Sequence, residues 1–485
     1  MIEQPLRLGP PLDAPGYRLL HLLEPARPRR VAASPRAGLF AVATVCVGAF
    51  MGQLDASIVT VALPRMSTDL HAGVGAVEWV SLSYVLTLVA LVVPIGAWAD
   101  AIGRKSLYVG GFAVFTLASV ACAFAPDLAV LCAFRVTQAV GAALMQANSV
   151  ALIVAVTPSA RLGRAVGIQA AAQAVGLAAG PAVGGLLLSV TSWRWLFLVN
   201  VPAGLIGLVT AALLLPRSRD LLPRRRLDPI GLALFVPTIG ATLLALSLAA
   251  GRGQQGQALA AAAMAGVLGV ALVGQQRRSG SPLIDRRMSA NPAYRRGLAA
   301  GFAGYAVLFG TLVVVPLFLT RSGLAGSARL GLDLSALPAG IGVVAPFAGR
   351  CADRAPAAVA RIGLGVAALA VLLLGVTKPS GLALVGILGL LGCGLGAFIP
   401  ANNRSLMLAA PPGLSGASAG LLNMVRGMGT AAGTALAVAA FTMSSTPRLG
   451  LGVAAALLGG VCVAALFAAP AHSPVEGLDT CPSAD

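Results

Sequence analysis

The stretch Gly167–Gly185 reads GIQAAAQAVGLAAGPAVGG. It carries no charged residue and belongs inside a membrane helix. At about 100° per residue, Gln169, Gln173, Gly176, Gly180 and Gly184 fall on one helical face, so two amides border a groove nearly free of side chains. Gly167 points roughly the opposite way. The Gly180-Pro181 step removes a backbone donor and predicts a bend, which a membrane helix tolerates where neighbours satisfy the freed carbonyl. Any one of these glycines has an ordinary use in close helix packing. The full spacing is more specific: Gly167, eight residues, Gly176, three residues, Gly180-Pro181, two residues, Gly184-Gly185.

Around this stretch, 58% of the 485 residues are apolar and 10% charged, with a mean hydropathy of +0.88. Such a composition places the chain among all-α, polytopic membrane proteins. The first 37 residues are polar and basic and contain no short apolar core with a cleavage site, so the first span is expected to be retained. Cys46, Cys122, Cys132, Cys351, Cys393, Cys462 and Cys481 lie mostly in apolar runs without metal-ligand spacing and read as packing residues. The net charge of +18 is dispersed between apolar runs, which argues for membrane orientation and against a nucleic-acid partner.

Fourteen stretches are long enough to cross the hydrocarbon, at roughly 38–63, 78–99, 106–125, 128–156, 164–188, 196–215, 229–250, 258–274, 297–320, 334–349, 361–376, 380–400, 416–441 and 450–469. With the N-terminus inside, 25 of the 34 Lys and Arg fall on inner segments, seven on outer loops, and Arg135 and Arg426 within spans. The bias follows the positive-inside rule and predicts that both termini face the cytoplasm, in a multi-pass protein of the cell membrane.

An offset of 253 residues maps Gly96 and Asp100 onto Gly349 and Asp353, and Gly141, Gly167, Gly176 and Gly180 onto Gly394, Gly420, Gly429 and Gly433. The ordered set predicts two homologous six-helix bundles, 38–216 and 297–469. Between them, 217–296 holds linkers and two inserted helices; 1–37 and 470–485 are cytoplasmic tails. The linker RSRDLLPRRRLD (Arg217–Asp228) reads as a strap facing lipid headgroups.

Asp55 interrupts the apolar run LDASIVTVALP (Leu54–Pro64). A charge at the centre of a span costs about 2.5–3.5 kcal/mol on insertion scales, so Asp55 must face a cavity or a partner, and desolvation favours its protonated form. In GAWADAIGRK (Gly96–Lys105) a helix ends, turns through Gly103 and presents Arg104 and Lys105; Asp100 can accept from helix N-termini or pair with an arginine. GRCADRAP (Gly349–Pro356) repeats the Gly and Asp but lacks the Gly-Arg-Lys. RVTQAVGAA (Arg135–Ala143) puts Arg135 and Gln138 on one face of the fourth span, and such an arginine needs an anion, carbonyl or water. WRWLFLVNVP, which includes Asn200, reads as an aromatic-belt entry into the sixth span. Gln138, Asn148, Gln169, Gln173, Asn423 and Arg426 are candidates for lining a cavity, whereas Asn402 and Asn403 read as caps or packing hydrogen bonds.

These motifs resemble the fourteen-span drug:proton antiporters of the major facilitator superfamily, specifically over about residues 40–215 and more loosely over 295–440. The resemblance implies that Gly167, Gly176, Gly180, Pro181, Gly184 and Gly185 form the antiporter motif. It also implies that Gly96, Asp100, Gly103, Arg104 and Lys105, with Gly349 and Asp353 in a degenerate second copy, form a conformational latch. By the same resemblance Asp55 is the proton-coupling carboxylate of the first helix and Arg135 has a proton-relay role. The chain departs from the family pattern at Ser57 and Thr60, usually Thr and Asn, and at Ala139, usually Gly.

The implied function is export of an organic, drug- or antibiotic-like compound in exchange for protons, by a monomer in the lipid bilayer that needs no cofactor or metal beyond the proton gradient. The alternatives are an exporter of a cell-made metabolite and a proton-coupled importer. An ATP-driven pump is disfavoured by the lack of a GxxxxGK[ST] loop. A membrane-embedded enzyme is disfavoured because His21, His71 and His472 all lie outside the expected spans and no nucleophile–base pair or metal cluster is apparent.

Overall fold

The computed structural model describes residues 27–217, 228–249, 254–280, 282–322, 327–377, 379–411 and 413–468. Both tails beyond these limits, the middle of the Arg217–Asp228 linker, Arg252 and Lys378 lie outside the described residues. Among the described residues there are fourteen helices long and apolar enough to cross a membrane and no strand. They are α1 (Ala37–Asp69), α2 (Trp79–Ile102), α3 (Arg104–Ala123), α4 (Leu128–Val156), α5 (Leu162–Val190), α6 (Asn200–Leu214), α7 (Pro229–Ala249), α8 (Gln255–Arg278), α9 (Pro292–Arg321), α10 (Ser327–Ala352), α11 (Pro356–Thr377), α12 (Leu382–Leu408), α13 (Ser415–Thr442) and α14 (Pro447–Ala468).

Polar side chains cap the starts of α4 and α9. Asn291 Oδ1 accepts from the amides of Ala293 (3.0 Å) and Tyr294 (3.3 Å), starting α9 five residues before its apolar window, with Pro292 in the first turn. Asp127 caps α4 through the Val130 amide at 2.9 Å. Gly103 alone separates α2 from α3, and its φ of 113° is a conformation that L side chains rarely adopt. α5 runs unbroken through Pro181, whose side is exposed.

Helix pairings in the first six spans recur in the last six. α1 packs on α5 as α9 packs on α13, α3 on α4 as α11 on α12, α2 on α4 as α10 on α12, and α3 on α6 as α11 on α14. The two sets meet where α5 packs on α10 and α13 packs on α2. Each core borrows a helix from the other set: Ala417, Leu421 and Leu422 of α13 join the first, and Ala170 and Ala174 of α5 join the second. Hence α5 and α13 belong energetically to both sets, and relative motion of the sets must pass through them.

α7 packs on α8 and lies against α2 and α13, outside the seam between the two sets. On α8 only Ala258 is buried, while Leu259, Val267 and Val270 are exposed, as expected of a lipid-facing helix. Asp228 ties the pair together by accepting from the Gly231 amide (2.9 Å) and Gln275 Nε2 (3.1 Å). Burial pushes the Asp228 carboxyl up, but these hydrogen bonds outweigh it and hold the group below the usual carboxylate range. The tie is therefore fully present above the ordinary carboxylate range and is lost as pH falls through the depressed value.

An even number of spans predicts both chain ends on one side. Epitope tags after Pro10 and Leu478 should both be hidden from antibody in intact cells and both appear on permeabilisation; detection of only one would remove the fourteen-span topology.

Candidate functional site

Asp55 lies midway along α1 and is fully buried. Its Oδ2 accepts from Arg135 NH1 at 2.8 Å, and its Oδ1 accepts from Gln138 Nε2 at 3.0 Å and from Asn200 Nδ2 at 2.8 Å. Arg135, also buried, donates from Nε to the Val80 carbonyl at 3.0 Å and from NH1 to Gln138 Oε1 at 2.6 Å, and its guanidinium lies 4.1 Å from the Tyr84 ring centroid. Gln138 Nε2 also donates to Ser119 Oγ at 2.8 Å. Side chains from α1, α2, α3, α4 and α6 thus surround one ion pair, and charge-assisted bonds replace the water that hydrocarbon lacks. Two buried polar atoms beside it have no hydrogen-bond partner, Asn200 Oδ1 and the Tyr84 hydroxyl.

Among the described residues the second set of spans has no such pair at the equivalent positions. The residues 253 positions after Asp55, Arg135 and Gln138 are Leu308, Leu388 and Leu391, all buried in its apolar core. The mid-span carboxylate cluster therefore has no counterpart at the equivalent positions of the second set, although the backbone arrangement recurs.

A narrow cleft, made of three small adjoining cavities that share Gln173 and Arg426, lies between the two sets. Its lining includes Gln53, Gln146, Gln169, Gln173, Tyr305, Phe309, Asn403, Asn423 and Arg426. At its centre Arg426 NH1 donates to Gln173 Oε1 at 2.6 Å, and these two residues are 253 positions apart. Equivalent positions of the two repeats can touch only beside the axis that relates them, so the Arg426–Gln173 contact marks that axis. Asn423 Nδ2 donates to the Gln146 carbonyl at 3.0 Å and to the Ala419 carbonyl at 2.9 Å.

At one end of the molecule the seams are held by the two repeated aspartates. Asp100 Oδ1 and Oδ2 accept from the amides of Gly416 and Ala417, each at 2.9 Å, at the start of α13, and Oδ1 also accepts from Arg104 NH2 at 2.9 Å. Asp353 does the same for α5, accepting from Gly163 N (2.6 Å) and Arg164 N (3.2 Å). Its cation is Arg404 of α12, Nε at 3.3 Å, so the missing Gly-Arg-Lys is replaced from another helix. Gly96 lies against the Gly416 carbonyl and Gly349 against that of Gly163, leaving no room for a methyl at either contact. Lys105 and Arg104 are buried at this end with Asp100.

Glycines of the α5 stretch divide by face. Gly167 packs on the Ala345 carbonyl of α10, while Gly176, Gly180 and Gly184 pack on α1 at Phe50, Ser57 and Ile58. Ser57 Oγ lies 3.4 Å from the Gly176 carbonyl, so this face runs along the helix that carries Asp55. Gly185 faces open space.

The structure brings together Asp55, Arg135 and Gln138, and separately Gln169, Gln173, Asn423 and Arg426. Gln138 sits in the carboxylate cluster and not in the cleft. Asn148 is buried, donates to the Leu144 carbonyl of its own helix, and is not among the residues lining the cleft. Asn402 bonds the Gly297 carbonyl at 3.1 Å, as a packing residue does, whereas its neighbour Asn403 lines the cleft. No group of three metal-ligating side chains gathers among the described residues.

The Major Facilitator Superfamily family description matches residues 45–434. The chain belongs to the Major Facilitator Superfamily. It is therefore a membrane transporter and not an enzyme. Multidrug resistance protein Stp of Mycobacterium tuberculosis is 31% identical over 406 residues, covering 83% of this chain and 75% of that relative. The riboflavin transporter RibZ of Clostridioides difficile is 28% identical over 406 residues, covering 83% and 88%. Among solved structures, the proton:xylose symporter XylE is similar, with a TM-score of 0.61 at 14% identity over 89% of this chain and 94% of that one.

Added bulk at a tight glycine costs about 1–3 kcal/mol by overpacking. Gly176→Leu and Gly180→Leu should lower transport with measurable expression, and Gly185→Leu should transport like wild type; equal rates in all three would remove the packing role of this face. Asp100→Asn with Asp353→Asn should loosen both seams, read as longer spin-label distances between Ser106 and Leu414; unchanged distances would show that the aspartates do not hold this end closed.

Proposed function

We propose that the transporter exports an organic compound in exchange for protons, by rocking the bundles 38–216 and 297–469 about the Arg426–Gln173 axis. Asp55 is the proton carrier, Arg135 its counter-ion, and both termini face the cytoplasm of a monomeric protein. The observation that supports this reading is the ion pair of Asp55 and Arg135 buried in the first bundle. Arginine stays charged at any physiological pH, so the pair changes only when Asp55 takes a proton. The neutral acid must then donate its own hydrogen. Asn200 supplies the acceptor, because rotation of its amide would exchange the bonded Nδ2 for the unpartnered Oδ1.

Loss of the carboxylate charge leaves Arg135 without an anion, and a buried pair that loses one partner is destabilised by about 3–5 kcal/mol. That imbalance favours the conformation in which the guanidinium finds water or another acceptor, which is how protonation biases reorientation. The glycine face of α5 transmits the change, since it packs on α1 beside Asp55 while its Gly167 side packs on the second bundle. An inward-moving charge gains about 2.3 kcal/mol per 100 mV, and a pH gradient adds to that.

The Stp relative supports drug export, and the RibZ relative favours a second reading, transport of a cell metabolite. Flux direction in cells separates export from import.

In proteoliposomes Asp55→Asn keeps the size of the side chain, offers one acceptor and a donor group as the protonated acid does, and removes the titration. Substrate binding should persist while uphill export falls to the rate of empty membranes. Export that still follows the pH gradient in Asp55→Asn would place the proton site elsewhere.

A further inference from the structure

We propose that the cleft on the axis takes an organic anion, an aromatic carboxylate or sulfonate, with Arg426 as its counter-ion; this rests on the export reading above and names the chemistry of the same site. Arg426 is the one charged side chain among the described residues that line the cleft, and no Asp or Glu lines it. Its partner is a neutral amide oxygen, Gln173 Oε1, and its guanidinium stands 5.1 Å from the Tyr305 ring centroid. A neutral amide accepts a hydrogen bond but does not balance a charge held in a membrane interior.

Gln169 supplies an independent observation. It lines the same cleft, is 2% exposed, and its Nε2 has no hydrogen-bond partner. A buried donor without an acceptor is unfavourable, and an incoming oxygen would remove that penalty. One oxygen of an oxyanion would displace Gln173 Oε1 from Arg426, and a second would accept from Gln169. The planar guanidinium suits this geometry better than an ammonium does. Tyr305 and Phe309 line the cleft and give it aromatic walls for the ligand's body.

An organic cation meets the opposite situation. Arg426 repels it, and the deep carboxylate is closed to it, because Asp55 is fully buried against Arg135, Gln138 and Asn200.

The test titrates purified full-length protein in detergent with naphthalenesulfonate and with naphthylmethylammonium by calorimetry, then follows both across proteoliposomes under a pH gradient. The sulfonate should bind at least about tenfold more tightly than the ammonium compound. Arg426→Gln should lose about tenfold in sulfonate affinity and Arg426→Lys less, with both variants eluting as wild type does. Equal or tighter binding of the ammonium compound, no binding of either, or sulfonate binding indifferent to Arg426→Gln overturns the anion assignment. Arg426-dependent sulfonate binding without gradient-driven movement overturns the export reading alone. Gradient-driven movement of the ammonium compound without sulfonate binding overturns the anion assignment alone.

Discussion

An ionised carboxylate in hydrocarbon has to be matched atom by atom, because no solvent is there to do it. Asp55 imposes that requirement, and the first six spans are arranged to meet it. Arg135 on α4 supplies the charge, Val80 on α2 holds the guanidinium, Gln138 braces both partners, Ser119 on α3 holds Gln138, and Asn200 brings in α6. A proton on Asp55 therefore alters the hydrogen bonding of several helices at once. The second six spans carry buried leucines, Leu308, Leu388 and Leu391, at the positions equivalent to Asp55, Arg135 and Gln138.

The outer architecture follows a different rule, close approach of backbones. At the end closed by Asp100 and Asp353, each repeated glycine lies on the backbone of the opposite set, and each aspartate caps the first amides of a helix there. Helix N-termini carry partial positive charge, so a carboxylate placed there is favourably held. Glycine at the seam lets α5 and α13 lie flush on α10 and α2, where a side chain would hold them apart. Between this end and the ion pair lies the cleft, where Arg426 is the one charged side chain among the described lining residues.

Much of this was legible in the chain. Twenty-residue apolar windows predict the fourteen helices because hydrophobicity alone decides insertion, and the 253-residue offset recovers the paired glycines and aspartates. Asp55 and Arg135 stand out because charges are rare in spans, although only the fold makes them partners. What the sequence hid was facing. These helices are apolar on all sides, so no periodic stripe tells which residues look inward. Asn200 is buried in an aromatic-rich entry motif and gives no hint that it reaches Asp55. Nothing in the sequence singles out Arg404, yet it pairs with Asp353. Gln138 reads as a cavity amide because its place beside Asp55 depends on how α1 and α4 cross, and Gln53, Gln146 and Tyr305 gave no signal at all.

The central claim is that Asp55 itself takes and releases a proton within the working cycle. pH-difference infrared spectroscopy on the protein reconstituted in lipid tests it most directly, by following the carbonyl band of a protonated carboxylic acid. The account predicts a titrating band that shifts when substrate is added and is missing from Asp55→Asn. A band that persists in that variant, or a wild-type protein with no such band at any pH that supports transport, would contradict it.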